Sequence, residues 1–190
     1  GDTTLAAYGV VNRINSLAFM PGMAIGGAIV SIVGQNIGAG NPERAKQAFR
    51  KAALYAFLIS MTFGTVLFIY AEGALKIFLP LEKDMPTVIA GTQYMKLMAL
   101  TLFLVSMNDV FNNTFQGSGH TIYSMMISMG RLWIFRIPLI IFFQKFTDYG
   151  SQGVWYAMIL SNFLTSVMGF IFYLFGKWEK RVIEKVKTTE

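Results

Sequence analysis

The sequence predicts an all-α membrane protein, a bundle of five transmembrane helices. Three observations carry that prediction. Charged residues make up 14% of the chain against 54% hydrophobic ones, and mean hydropathy is +0.51. A soluble domain carries about a quarter of its residues as charges, because its surface must face water. Five apolar stretches, at about 8–33, 52–70, 88–115, 122–143 and 154–175, each approach or exceed the roughly 20 residues a spanning helix needs. The cations gather between and after these stretches, where topology rather than nucleic-acid binding places them.

The first stretch holds Pro21, which removes a backbone hydrogen bond and can kink its helix. Gly22 and Gly26 allow another helix to approach closely. The loop expected at 35–51 carries Arg44, Lys46, Arg50 and Lys51 against Glu43. Its glycines, Gly38 and Gly40, suit a helix end, and Asn41-Pro42 suits a helix start. No Lys-Ser or Lys-Thr follows the glycines, so this is no phosphate loop. After the second stretch, 74–79 suggests an interfacial turn within a loop of mixed charge.

The third stretch concentrates polar residues: Ser106, Asn108, Asp109, Asn112, Asn113 and Gln116. Asn108, Asn112 and Gln116 are spaced i, i+4, i+8, with Asp109 and Asn113 alongside, which makes one polar face on an apolar helix. Such groups are costly in lipid, so they face protein or water. They can line a solute path, or hold helices together through interhelical hydrogen bonds. The 117–121 turn then brings back a fourth helix carrying Arg131, Arg136 and Pro138. Asp109 and Arg131 lie about 12 and 15 Å from that turn. Two readings are open: a buried ion pair, or an Asp109 that loads a proton or sodium ion. Pro138 is a second candidate kink, and broken helices in transporters often mark the moving element.

The first loop and the tail carry the cations and are expected inside, which puts the 117–121 turn inside as well. The N-terminus is then outside. With no leader to put it there, it is expected to be a cut end, the chain being a piece of a longer protein. The tail is amphipathic, with Trp178, Val182, Ile183 and Val186 among its cations, and is expected on the inner leaflet or in the cytosol.

Other chemistry is sparse. There is no Cys and one histidine, His120, which excludes disulfides and multi-histidine metal sites within the chain. One buried acid and one loop histidine do not make an acid/base or metal constellation, so no enzyme activity is expected. The net charge of +6 is read as topological, with no nucleic-acid partner and lipid as the surrounding one.

Two glycine turns carry a family resemblance. Val33-Gly34-Gln35-Asn36-Ile37-Gly38-Ala39-Gly40 with Arg44-Ala45, preceded by Ala6-Ala7-Tyr8-Gly9 and Arg13-Ile14, resembles the multidrug and toxic compound extrusion (MATE) family. So do Phe115-Gln116-Gly117-Ser118-Gly119-His120-Thr121 and Arg136-Ile137-Pro138-Leu139. The resemblance implies a twelve-helix, two-lobe transporter in a cell membrane, of which this chain is similar to the eighth to twelfth helices. It divides the chain into a C-terminal-lobe bundle at 1–176 and a cytoplasmic basic tail at 177–190, and makes the N-terminal lobe a missing partner. It implies export of organic cations or drugs in exchange for sodium ions or protons, with no other cofactor. Aligned on the 117–121 turn, the acidic position of the sodium-coupled branch falls nearer Val105 than Asp109. Asp109 can then line the cavity instead. A related lipid-linked oligosaccharide flippase is the alternative, since Arg131 and Arg136 would suit a pyrophosphate. A structural membrane subunit is a further one.

Overall fold

The computed structural model describes residues 2–78, 85–150 and 152–182. Among them the elements are all helical: α1 (Asp2–Ala39), α2 (Pro42–Ile69), α3 (Ala71–Phe78), α4 (Met85–Gly117), α5 (Thr121–Met129), a π-helical segment (Gly130–Arg136), α6 (Ile137–Phe146) and α7 (Gln152–Phe175). The run α5–π–α6 is one continuous fourth span, and among the described residues five segments are long and apolar enough to cross a membrane.

The loop expected at 35–51 is almost entirely helix. α1 runs through Ala39 and α2 starts at Pro42, leaving Gly40 and Asn41 as the connection. The backbone explains why so little chain suffices. Gly40 has φ +79°, its N–H donates to the Ile37 carbonyl at 3.0 Å, and the Asn41 N–H donates to the Asn36 carbonyl at 2.8 Å. These are the paired bonds of a Schellman ending, which reverses the chain in one left-handed residue. Pro42 then begins α2 where no N–H is required. The Gly119 turn, also at positive φ (+82°), does the same between α4 and α5. The stretch at 74–79 belongs to α3 as far as Phe78. There Lys76 bonds Glu72 at 2.5 Å and holds its carboxyl below the usual range.

α4 is the central helix and packs against α1, α2, α3, α5 and α7. Glycine makes its closest crossings possible. A Cβ on Gly117 would lie 2.5 Å from the Val30 carbonyl oxygen, and one on Gly64 would lie 2.7 Å from that of Ala99. Gly169 of α7 admits the Phe111 ring of α4. Gly22 and Gly26 face Ser106 and Asn113 of α4, so this pair does serve packing.

Buried apolar side chains form two clusters. One joins Ile29, Val33 and Ile37 of α1 to Phe49 of α2 and Phe111 and Phe115 of α4. The other, nearer the α3 end, joins Val11, Leu75, Tyr94, Met95 and Trp155. The layer between them holds the buried polar side chains Ser106, Asn108, Ser161, Asn162 and Thr165.

The start of the tail departs from the expectation of a surface or cytosolic segment. Trp178 is 1% exposed and stacks on Tyr173, with its indole N–H donating to the Tyr173 carbonyl at 3.1 Å. Arg181 Nε donates to the Ile37 carbonyl at 3.0 Å, a cation on the C-terminal end of α1. Apolar burial of the indole and a helix-end carbonyl draw this segment onto the bundle. Ile183 and Val186 lie outside the described residues.

Candidate functional site

The polar face of α4 divides, and each part meets a different helix. Residues 108, 112 and 116 precess around the helix by about 40° per step, because four residues exceed a 3.6-residue turn. Asn108, 2% exposed, faces α7. Its Nδ2 donates to the Asn162 carbonyl at 3.2 Å, and its Oδ1 accepts from Ser166 Oγ at 2.9 Å. Asn112 faces α5, donating to Ser128 Oγ at 3.3 Å and accepting from Ser124 Oγ. Gln116 is exposed. Asn113 turns toward α1: its amide donates to the Asp109 backbone carbonyl at 2.7 Å and occupies the space that Gly26 leaves.

The fourth span supplies the cations. Arg136 Nε donates to Ser161 Oγ at 3.2 Å and Nη2 to Asn162 Oδ1 at 3.3 Å. Asn108, Asn162, Arg136 and Ser161 thus form one network across α4, α7 and the fourth span. The π segment positions the arginines. On an α-helix, residues five apart diverge by about 140°. A helix closed by i→i+5 bonds has wider turns and brings them nearer one face. The Ile137 N–H donates to the Leu132 carbonyl, an i→i−5 bond, just before Pro138. Pro138 can make no such bond and its ring crowds the carbonyl four residues back, so a wider turn accommodates it. The departure from α geometry therefore lies at Gly130–Arg136, upstream of the proline. Pro21 lies inside the unbroken α1.

Asp109 and Arg131 are both half-buried and near enough for Arg131 to act electrostatically on Asp109. They do not form the direct ion pair: among the described residues no salt bridge within 4.0 Å joins them. The Asp109 carboxylate also has no hydrogen-bond donor there, and Arg131 Nε is buried with no acceptor. The reason is directional. The α4 residues that reach α5 and α7 are Asn112 and Asn108, while Asp109 sits a further 100° round the helix. It faces the side where α4 is flanked by α1 and the fourth span, whose Cα atoms nowhere come within 8 Å of each other among the described residues.

The polar residues of α7 are the part that sequence reasoning missed. Ser161, Asn162, Thr165 and Ser166 repeat at i, i+1, i+4 and i+5 in an otherwise apolar span. The spacing argument applied to 108–116 would have found them. Among the described residues no cluster of three or more metal-ligating side chains occurs.

The family model described as MatE matches residues 1–142. The chain is 29% identical over 190 residues to "Probable multidrug resistance protein NorM" of Thermotoga maritima, covering 98% of this chain and 40% of that protein. It is 25% identical over 179 residues to "Probable multidrug resistance protein YpnP" of Bacillus subtilis, covering 94% and 39%. The chain thus spans about 40% of the length of these curated relatives. Among solved structures, it superposes with TM-score 0.88 and 21% identity on a MOP superfamily transporter from Pyrococcus furiosus, covering 95% of this chain and 40% of that one. A structure described as "MATE transporter ClbM in complex with Rb+" gives TM-score 0.85 and 21% identity, covering 94% and 42%.

Proposed function

The chain belongs to the MATE family, whose model matches it over residues 1–142, and from that premise we propose that it forms one wall of the transport path of a cation-coupled exporter of organic cations. Family members are transporters rather than enzymes, and the chain is a multi-pass membrane protein with five spanning helices. The observation that carries the proposal is the isolation of Asp109. Its neighbours Asn108 and Asn112 are engaged by groups of α7 and α5, whereas its own carboxylate faces the side between α1 and the fourth span with no hydrogen-bond donor among the described residues. A carboxylate held in a span without a structural partner is available to a cation. Asn113 and Gln116 extend the same wall, and Arg131 on the opposite side limits how strongly a cation is held. Weak enough retention is what release on the far side requires.

The coupling ion in this reading is sodium or a proton. The relative solved with Rb+ supports a monovalent-cation site in that protein. Pro138 and the π segment beside it are the hinge of the fourth span, and Pro21 is that of α1. The path is completed by a second, N-terminal lobe, because alternating access needs two lobes moving about a shared site. The α1–α2 turn and the tail lie on the cytoplasmic side, where their cations belong, and the first residues of α1 lie outside. The multidrug-resistance relatives do not favour the oligosaccharide-flippase reading.

The test is Asp109→Asn in the longer protein that carries this chain. Ethidium efflux from cells should fall to background while membrane abundance stays unchanged. Normal efflux at normal abundance would overturn the role of Asp109. A parent protein that exports no organic cation at all would overturn the exporter reading.

A further inference from the structure

The first three turns of α2 carry four cations, and the fold sorts them by face. Lys46 bonds Glu43 and Glu179, each at 3.2 Å. Arg50 interacts with the Tyr173 phenol of α7. These two lie on the side of α2 that meets α7 and the tail. Arg44 and Lys51 lie on another: seven residues apart, they return to within about 20° of one another. Both are exposed, and among the described residues no carboxylate lies within 4.0 Å of either.

Below these two cations runs a groove of about 420 Å³ between α1 and α2. Its α1 wall is Ile25, Ala28, Ile29 and Ile32, spaced i, i+3, i+4, i+7; its α2 wall carries Arg44, Lys51 and, deeper, Tyr55. The two helices are antiparallel across the Gly40-Asn41 turn, so depth can be read from either. Ile32 and Ile25 lie about 10 and 21 Å along α1 from its end at Ala39. Arg44 lies about 3 Å and Lys51 about 13 Å from the start of α2. Arg44 is therefore near the turn, Lys51 lies level with the stretch between Ile32 and Ile29, and beyond it the α1 wall stays apolar toward the middle of a bilayer leaflet, which is about 15 Å deep in hydrocarbon. Long basic side chains at these positions snorkel toward the surface.

We propose that this groove is a binding site for an anionic phospholipid, its phosphate held by Arg44 and Lys51 and one acyl chain laid along Ile25, Ala28, Ile29 and Ile32. A neutral lipid would fill the apolar part equally well but would leave both cations without a counter-charge. An anionic headgroup supplies that charge, and Gln47, between them on the same face, donates a further hydrogen bond. Each cation near an anionic lipid surface contributes about a fivefold preference. The inference requires only that the α1–α2 turn lie at a membrane surface, and stands apart from the role of Asp109.

The test reconstitutes the carrying protein in phosphatidylcholine vesicles doped with an acyl-diazirine phosphatidylglycerol. Crosslinked peptides are then mapped after irradiation. Label on 25–32 and 44–55, displaced by unlabelled phosphatidylglycerol and not by added phosphatidylcholine, is the expected result. Arg44→Gln with Lys51→Gln should lower that label by roughly tenfold or more, and Lys145→Gln should leave it unchanged. Ala28→Trp, which fills the groove and keeps both charges, should also remove it. Equal displacement by phosphatidylcholine would mean an unselective lipid contact and would overturn the proposal. So would label confined to other helices, the result expected if a protein segment covers the groove.

Discussion

The two sides of α4 invest polar residues differently. Toward α7, Asn108 is enclosed, and its amide meets the Asn162 carbonyl and the Ser166 hydroxyl. A turn's fraction away, Asp109 has a charge that costs more to bury and fewer partners, among the described residues the field of Arg131 and no hydrogen-bond donor. The amide side is paired as hydrogen bonds between spanning helices are usually paired. The carboxylate side has no such pairing among the described residues, which is what the proposed cation site rests on. Polarity in a membrane helix is thus not one signal. A satisfied amide between close helices stabilises the bundle, whereas an acid without a hydrogen-bond donor beside separated helices is the feature the Asp109 proposal turns on.

The largest effect expected from breaking this comparison comes from the helix that frames both sides. Gly117→Val would set a side chain 2.5 Å from the Val30 carbonyl oxygen, backbone that cannot swing away. It should cost about 3 kcal/mol, at the upper end for overpacking, and should abolish the folded protein in detergent unfolding assays. Asn108→Leu comes next. It removes the two interhelical bonds to α7 and should cost about 1–2 kcal/mol, read as a lower unfolding midpoint with efflux retained at matched abundance. Asp109→Asn inverts that pattern, with stability unchanged within about 0.5 kcal/mol because no native bond is lost, and efflux lost. A drop in stability as large as that of Asn108→Leu would mean that Asp109 is structural after all. Gly26→Ala should have the smallest effect on stability. The added methyl meets only the end of the Asn113 side chain, which can rotate. Its readout is a weakened apparent affinity for the exported cation; unchanged affinity would take Asn113 out of the path.

Much of the fold was legible because lipid imposes a simple rule. Backbone polar groups must be satisfied within each span, so apolar length alone marks helices. The same rule located the polar cluster at 106–116 and the basic turn near Arg44. It misjudged the length of that turn: charged residues suggested a loop at 35–51, while a single left-handed glycine reverses the chain and lets both helices run into the charged region. It also treated Trp178 and Arg181 as tail, though one is buried against Tyr173 and the other caps α1. Those contacts join residues more than 100 positions apart in the case of Arg181 and Ile37, and no local pattern encodes them.

By itself, the sequence determined the class, the five spans, the two glycine turns, the family resemblance and which residues are costly to place in lipid. These depend on composition and on spacing within one helix. The tertiary structure decided which of those residues are partnered. Asn108 and Asp109 are adjacent in sequence, but 100° of helical rotation sends one into the α7 contact and the other to the gap. The π turn at Gly130–Arg136 likewise decided where the arginines sit: Pro138 marked a disruption in the sequence, but the wider turn upstream of it, and the face to which it brings Arg131 and Arg136, are seen only in the structure.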